Sequence, residues 1–457
     1  MKTKAKRKNR MYPFAWSTRG FSLGVNSLLL MQATFYATQS LGLSAGLVGT
    51  IFLLSKLFDG VTDLVAGYII DRTNTKLGKA RPYELFLIPT WILSVFFFST
   101  PASMGTTGKV IWIFVFYVLI QAVCVTFLSA AETTYLARSA TDDNLRAKAL
   151  TVAGIMAMLV PTVASIILPQ LMSKWGGEPG GWTKIILVFA VPLTIVGMFR
   201  FIFVKEVVED ESVGVQKKDK VSFKEGLQAM VKNKYLFMFV VATFFCALFN
   251  SLNSGIGTYF FEYIVGDVGL MSLIGMLGVV TPFTLVIFPI AVRKGQAMNF
   301  VRLGLVLAAV GNIIKFFAGA NMGLVLLGSI LMSIPGASMI QMIGSLFMIQ
   351  CMDYGEWKTG VRVEAMMNSV NGFTSKVGQG VASGLVGVLM GMAGFVSGAE
   401  IQSASALMAI RMGYSIVPAL LCVIMLVVLR KYDLEKKQGE IRAELAKRSE
   451  SSGKDTE

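Results

Sequence analysis

Residues 45–82 read AGLVGTIFLLSKLFDGVTDLVAGYIIDRTNTKLGKARP. The apolar run 45–70 holds three charges, Lys56, Asp59 and Asp63, and gives way to a basic loop containing glycine. Crossing about 30 Å of hydrocarbon takes about 20 helical residues, so the run is long enough to span a bilayer. Spacings of three and four place the three charges on one helix face. A charge at bilayer depth costs about 2.5–3.5 kcal/mol on insertion scales, and a chain that keeps several normally uses them on a substrate or ion path.

The rest of the chain is made of similar material. Of 457 residues, 54% are hydrophobic and 15% charged, and the mean hydropathy is +0.65; soluble domains carry about 25% charged residues. Twelve blocks are long enough to span: 14–39, 45–70, 84–103, 110–137, 147–172, 183–204, 235–264, 269–292, 299–319, 322–350, 365–395 and 404–430. The expected fold class is an all-α polytopic membrane protein with twelve transmembrane helices in two six-helix halves. The divisions are a tail 1–13, a first half 14–204, a linker loop 205–234, a second half 235–430 and an amphipathic or disordered tail 431–457. Six plus six spans around a hydrophilic linker is the arrangement of a major-facilitator carrier, with its substrate site near the midplane between the halves.

The basic residues set the expected orientation. Of 42 Lys and Arg, 33 fall in the two tails and the loops on their side, and only Lys109, Lys174 and Lys184 fall in the opposite loops. By the positive-inside rule both termini and the linker are cytoplasmic, in a multi-pass cell-membrane protein. The formal charge of +15 then reports topology and contact with anionic lipid, and nucleic acid is not expected as a partner. The basic N-terminus precedes a full-length span and has no small-residue cleavage site, so it does not read as a cleavable signal.

Histidine is absent, which removes the commonest metal ligand and general base. Cys124, Cys246, Cys351 and Cys422 are scattered without metal-ligand spacing. No cofactor is expected, no metal beyond a possible sodium, and no enzymatic chemistry. What remains is a carrier. If Asp59 and Asp63 both ionise in a low dielectric, they repel unless a cation sits between them or one takes a proton. The competing role for the pair is an internal ion pair with Lys56, although one lysine cannot neutralise two acids. Oxygen ligands suit a hard cation such as sodium, and Thr62 and Thr126 can add theirs.

Two further motifs bear on movement. The loop from Gly67 through Asp71 and Arg72 to Pro82 suits a cytoplasmic latch: glycines allow close approach, Asp71 can accept from helix N-terminal amides, and the basic residues can cap neighbouring helix ends. Before the eleventh span comes a second loop motif, DYGEWKTGVRVE, bearing Asp353, Glu356, Arg362 and Glu364. These positions are candidates for the cytoplasmic gate.

With those motifs in hand, the chain resembles the glycoside–pentoside–hexuronide:cation symporters, the melibiose-carrier-like branch of the major facilitator superfamily, over essentially all twelve spans. The resemblance rests on Lys56-x-x-Asp59-x-x-x-Asp63, the Gly67–Pro82 loop, and Asp353–Glu364 followed by Lys376. It implies that Asp59 and Asp63 form the site of the coupling ion, Na⁺ or H⁺, that Thr126 contributes a hydroxyl, and that Lys376 lies near both ion and sugar. Lys56 sits where the family carries a basic residue, as a surrogate cation or a structural partner. Asn368, Asn371 and Gln379 lie along the helix of Lys376 and can bond sugar hydroxyls or a neighbouring helix.

The departures concern the sugar. The family's first-span acid aligns with Arg19, its fourth-span acid with Ser129, an aromatic with Thr133, and a fifth-span arginine falls near Ala153 or Gly154. Either Glu132 replaces the missing acid, or Arg19 pairs with an anionic substrate group, favouring a hexuronide. Snorkelling is the alternative role for Arg19. The expected function is a sodium- or proton-coupled symporter for a sugar or sugar acid, acting as a monomer by alternating access. A lysolipid carrier and a non-transporting sensor are the other readings. Asn250, Asn253, Glu262, Lys315 and Gln341 are weaker cavity-lining candidates.

Overall fold

In lipid every backbone N–H and C=O must be bonded within its own segment, so the apolar blocks are dictated to be helices. The computed structural model describes residues 2–140, 143–206, 223–278, 296–333, 337–361 and 363–454. These residues form helix after helix, and an isolated bridge between Thr75 and Gly78 is the one β feature among them. The fold is that of an all-α polytopic membrane protein. Six helices are long and apolar enough to cross a bilayer unaided: Thr106–Leu136, Leu145–Trp175, Gly181–Phe203, Lys234–Val265, Ala297–Ala318 and Ala404–Leu429.

Several spans are interrupted in ways that apolar patterning does not display. Wide π turns occur at Tyr36–Ser40, Leu119–Val125 and Phe261–Val265. The first span's helix starts at Lys2, so residues read as a tail continue it. The linker contains a helix, Phe223–Val231. Most of the block 269–292 lies outside the described residues.

Two motif readings need correction. The stretch Asp353–Thr359 is not loop: it is the last two turns of the helix Ala337–Thr359, which Gly360 ends at φ +73°. The C-terminal tail is an ordered helix, Leu434–Lys454, packed on that same helix. The disordered alternative for 431–457 therefore gives way to the amphipathic one across those residues.

Contacts divide the chain into two compact units, 1–216 with 254–279 and 383–410, and 217–253 with 280–382 and 411–457. The boundary runs through the helices Lys234–Phe260 and Glu364–Met392. In the first unit, paired side chains bind the late segments to the early spans. Thr258 donates to Gln32 at 2.6 Å, the Thr38 and Tyr259 hydroxyls meet at 2.6 Å, and Tyr263 donates to Gln39 at 2.7 Å. Ser397 donates to the Leu43 carbonyl at 2.7 Å. In the second unit the helices Ala297–Ala318 and Met322–Ser333 approach so closely that a Cβ on Gly311 would stand 2.3 Å from the Gly328 carbonyl oxygen.

Candidate functional site

The second-span helix Ala45–Arg72 packs against the Leu119–Val125 π turn and the following helix Thr126–Ala130. Asp59, on that helix, is 2% exposed. A carboxylate so placed must be matched by a cation or a proton, and the Lys56 ammonium lies 3.2 Å from its Oδ2. Lys56 also sits 5.6 Å from the centre of the Tyr117 ring. Thr62 spends its hydroxyl on its own helix, donating to Asp59 and Phe58 carbonyls at 3.2 and 3.3 Å. Buried Thr126 donates to Gln121 across the π turn at 3.2 Å. Turns of this kind cluster at functional sites because they free carbonyls and re-aim side chains. Asp63 is on the same helix, and its side chain lies outside the described residues.

Beside this site in the first unit is a cluster that sequence reasoning only half found. Arg19 and Arg200 are 4% and 1% exposed, and Glu84 is 2% exposed. The Arg19 guanidinium contacts Glu84 at 3.3 Å, pairs with Glu132 and donates to the Leu128 carbonyl. Arg200 reaches Glu132 at 2.9 Å and Glu84 at 3.5 Å, and stacks 3.4 Å over the Trp16 ring. Two guanidinium groups and two carboxylates sum to zero charge, which is how such groups tolerate burial.

Arg19 therefore does not snorkel. Its guanidinium is turned inward and held by two carboxylates. Glu132 is the accessible member, with 34% of its side chain exposed. Ser129 and Thr133 near it are exposed as well. Glu84 and Arg200 were missed as partners; the signal was present in their position as charges at the ends of the third and sixth spans.

The cytoplasmic-gate candidates divide similarly. A Cβ on Gly67 would meet nothing within 4 Å, so close approach does not explain that glycine. Gly78 is the constrained one, at φ +115° and against the Glu206 carboxylate. Glu206 accepts from the backbone N–H groups of Lys79, Ala80 and Arg81 at 3.0, 2.7 and 2.8 Å, and from Arg138 Nε at 2.9 Å. Burial pushes its pKa up, but these donors outweigh it and hold the carboxyl below the usual range. Glu206 is thus an acceptor of helix-start amides that the sequence reading did not single out. Arg81 caps the end of the sixth span, donating to the Phe201 carbonyl at 3.2 and 2.9 Å. Arg72 is exposed, 4.1 Å over the Tyr68 ring. The side chains of Asp71 and Glu364, and all of Arg362, lie outside the described residues.

In the second unit Asp353 is buried and accepts from Gln438 and Arg442 of the tail helix at 2.6 and 3.2 Å. The Trp357 indole donates to Glu444 at 2.7 Å. Glu356, Lys376 and Gln379 are half-buried, each with partners. Asn371 on the helix of Lys376 keeps Oδ1 shielded without a hydrogen bond among the described residues. The side chain of Asn368 lies outside them. Lys315 is wholly buried, 3.4 Å from Asn253 Oδ1 and 4.1 Å over the Tyr414 ring.

Residues 18–436 match the family described as "MFS/sugar transport protein". The chain is 30% identical over 440 residues to the isoprimeverose transporter of Lactiplantibacillus pentosus, covering 94% of this chain and 90% of that protein. It is 26% identical to the glucuronide carrier protein homolog of Escherichia coli (strain K12), covering 95% and 96%. A bacterial homolog of the human lysosomal transporter Spinster, crystallised in an inward-facing, unoccupied conformation, superposes with TM-score 0.67 at 14% identity, covering 94% and 97%, a likeness of fold.

Proposed function

The chain belongs to the MFS/sugar transport protein family, and from that premise we propose that it is a cation-coupled symporter that carries a neutral glycoside or pentoside across the cell membrane. It is a transporter, not an enzyme. The observation that carries the coupling is the buried Asp59 carboxylate, matched by Lys56 and packed beside the π turn that presents Thr126. Asp59 and Asp63 hold sodium or a proton, with Thr62 and Thr126 as hydroxyl ligands. When the site is empty, Lys56 supplies the compensating charge. Ion binding releases Lys56, and that difference in interaction is what biases one arrangement of the protein over another.

On the substrate side, the charges of Arg19 and Arg200 are matched by Glu84 and Glu132, so Arg19 positions Glu132 rather than clamping a substrate carboxylate. The accessible group is acidic, which favours hydroxyl donors and disfavours a uronate. The relatives, by name an isoprimeverose transporter and a glucuronide carrier homolog, support a sugar as substrate, and the first of them supports the neutral class. Ser129, Glu132, Asn371, Lys376 and Gln379 are assigned to the sugar. With both termini cytoplasmic, the bonds joining 254–279 and 383–410 to the early spans lie at the outer ends. Closure there fits one stage of alternating access.

Uptake into proteoliposomes under imposed sodium or proton gradients tests this, using a panel of neutral glycosides, pentosides and hexuronides. A neutral sugar should accumulate under one gradient, and Asp59→Asn and Asp63→Asn should each abolish accumulation in inserted protein. Undiminished coupled accumulation in both variants would remove the cation site. Preference for a hexuronide would return Arg19 to the substrate.

A further inference from the structure

A cation that takes Asp59 leaves the Lys56 ammonium without its counter-charge. The Lys56 side chain is 12% exposed, and Asp59 is its carboxylate partner among the described residues. An ammonium so enclosed is costly unless another group takes it up. Tyr117 of the fourth span is placed to do so. It is buried, its ring centre lies 5.6 Å from the ammonium, and its hydroxyl is a hydrogen-bond partner of the same ammonium.

Packing holds the tyrosine in that place. Its ring centre is 4.7 Å from that of Phe52 and 6.1 Å from that of Phe97, both buried. Tyr117 lies in the last turn of the helix Thr106–Val118, directly before the π turn Leu119–Val125, and Thr126 opens the helix beyond. All three segments pack on the second-span helix that carries Lys56 and Asp59. A phenol attracts a cation through its oxygen and its ring face without carrying charge, so it holds an ammonium less tightly than a carboxylate does. That inequality suits an exchange. With the site empty the lysine rests on Asp59, and once a cation occupies Asp59 the tyrosine is the better partner left.

We propose that Tyr117 is a positioning residue that receives the Lys56 ammonium when the coupling cation takes Asp59, and that it thereby sets the affinity of the cation site. The inference rests on the reading of Asp59 as the cation site. In the structure the ammonium faces both partners, so the exchange is a shift of one flexible side chain and not of a span. Because Tyr117 is the main partner of Lys56 only after displacement, its loss falls on the cation-bound state and weakens binding.

The test titrates purified protein in lipid nanodiscs with sodium chloride, following heat, and separately with acid in potassium chloride, following proton uptake. Tyr117→Phe keeps the ring and loses the hydroxyl, and should weaken cation binding about threefold. Tyr117→Leu loses both and should weaken it about tenfold. Lys56→Met removes the competitor and should bind the cation more tightly, and adding Tyr117→Phe to it should then change nothing. If Tyr117→Leu does not fold, the Tyr117→Phe measurements decide alone. Unchanged affinity in the tyrosine variants, weaker binding in Lys56→Met, or a Tyr117→Phe effect that persists without Lys56 overturns the inference. Asp59→Asn keeps the two readings apart: if it abolishes cation binding, the cation site stands whatever Tyr117 does. Undiminished binding in Asp59→Asn, or no cation bound by the wild type, overturns both.

Discussion

Glu206 follows the sixth span and Glu435 follows the twelfth, and the two carboxylates occupy matching places in the two units. Glu206 caps the start of the third-span helix by accepting from Lys79, Ala80 and Arg81 backbone amides. Glu435 caps the start of the ninth, accepting from Ala297 and Met298 at 2.9 and 3.2 Å. Each is accompanied by an arginine returning a bond to the preceding span's last carbonyls: Arg81 to Phe201, and Arg302 to Leu429 at 3.2 and 2.8 Å. A capping carboxylate meets the unpaired amides and positive dipole of a helix start, and the arginine meets the opposite end. Such repetition is what an internally repeated transporter fold predicts.

The difference is in how tightly each is held. Glu206 has three amide donors, the Arg138 side chain and a glycine that makes room for it. Glu435 has two amides. One unit has built a latch on its loop and the other a simple cap. The second unit instead commits its nearby motif to the tail helix, through Asp353 and Trp357.

Substitutions can break this contrast. Gly78→Val should cost the most, about 3 kcal/mol, because the side chain must adopt φ +115° and collide with a carboxylate fixed by four bonds. A thermal midpoint within a degree of wild type would show the loop to be free to move aside. Glu206→Ala should cost about 2 kcal/mol and Glu435→Ala about 1 kcal/mol, the upper and middle of the range for lost caps. Equal losses of thermal midpoint would dissolve the distinction between latch and cap.

The smallest effect is that of pH. Glu206 has its folded pKa lowered, so its stabilisation is full above the unfolded carboxylate pKa and fades as pH falls through the folded value. Thermal scans of wild type and Glu206→Gln should therefore converge as the pH is brought below about 4. Scans that stay a constant interval apart would mean that the charge of Glu206 contributes nothing.

Much of the site was legible in sequence because the bilayer makes charge conspicuous. Lys56 and Asp59 stood out at helical spacing, and they are a contacting pair on one helix. Arg19 stood out equally well, but its partner Glu84 and the second arginine of the cluster, Arg200, did not, because they come from the third and sixth spans, more than 60 residues away. The DYGEWKTG stretch looked like loop because it is polar. Its polar groups are instead consumed by a tail helix that the sequence left undecided between order and disorder.

The sequence by itself determined that this chain is helical and membrane-spanning, where its charges fall along the spans, and which of them share a helix face. Those follow from local physics: the length needed to cross hydrocarbon, the obligation to bond every backbone group, and the helical period. Only the tertiary structure decided that Arg19 is neutralised and that Glu206 holds the loop. Charge compensation and loop capping are properties of groups brought together from distant spans, and no local pattern records which partner will arrive.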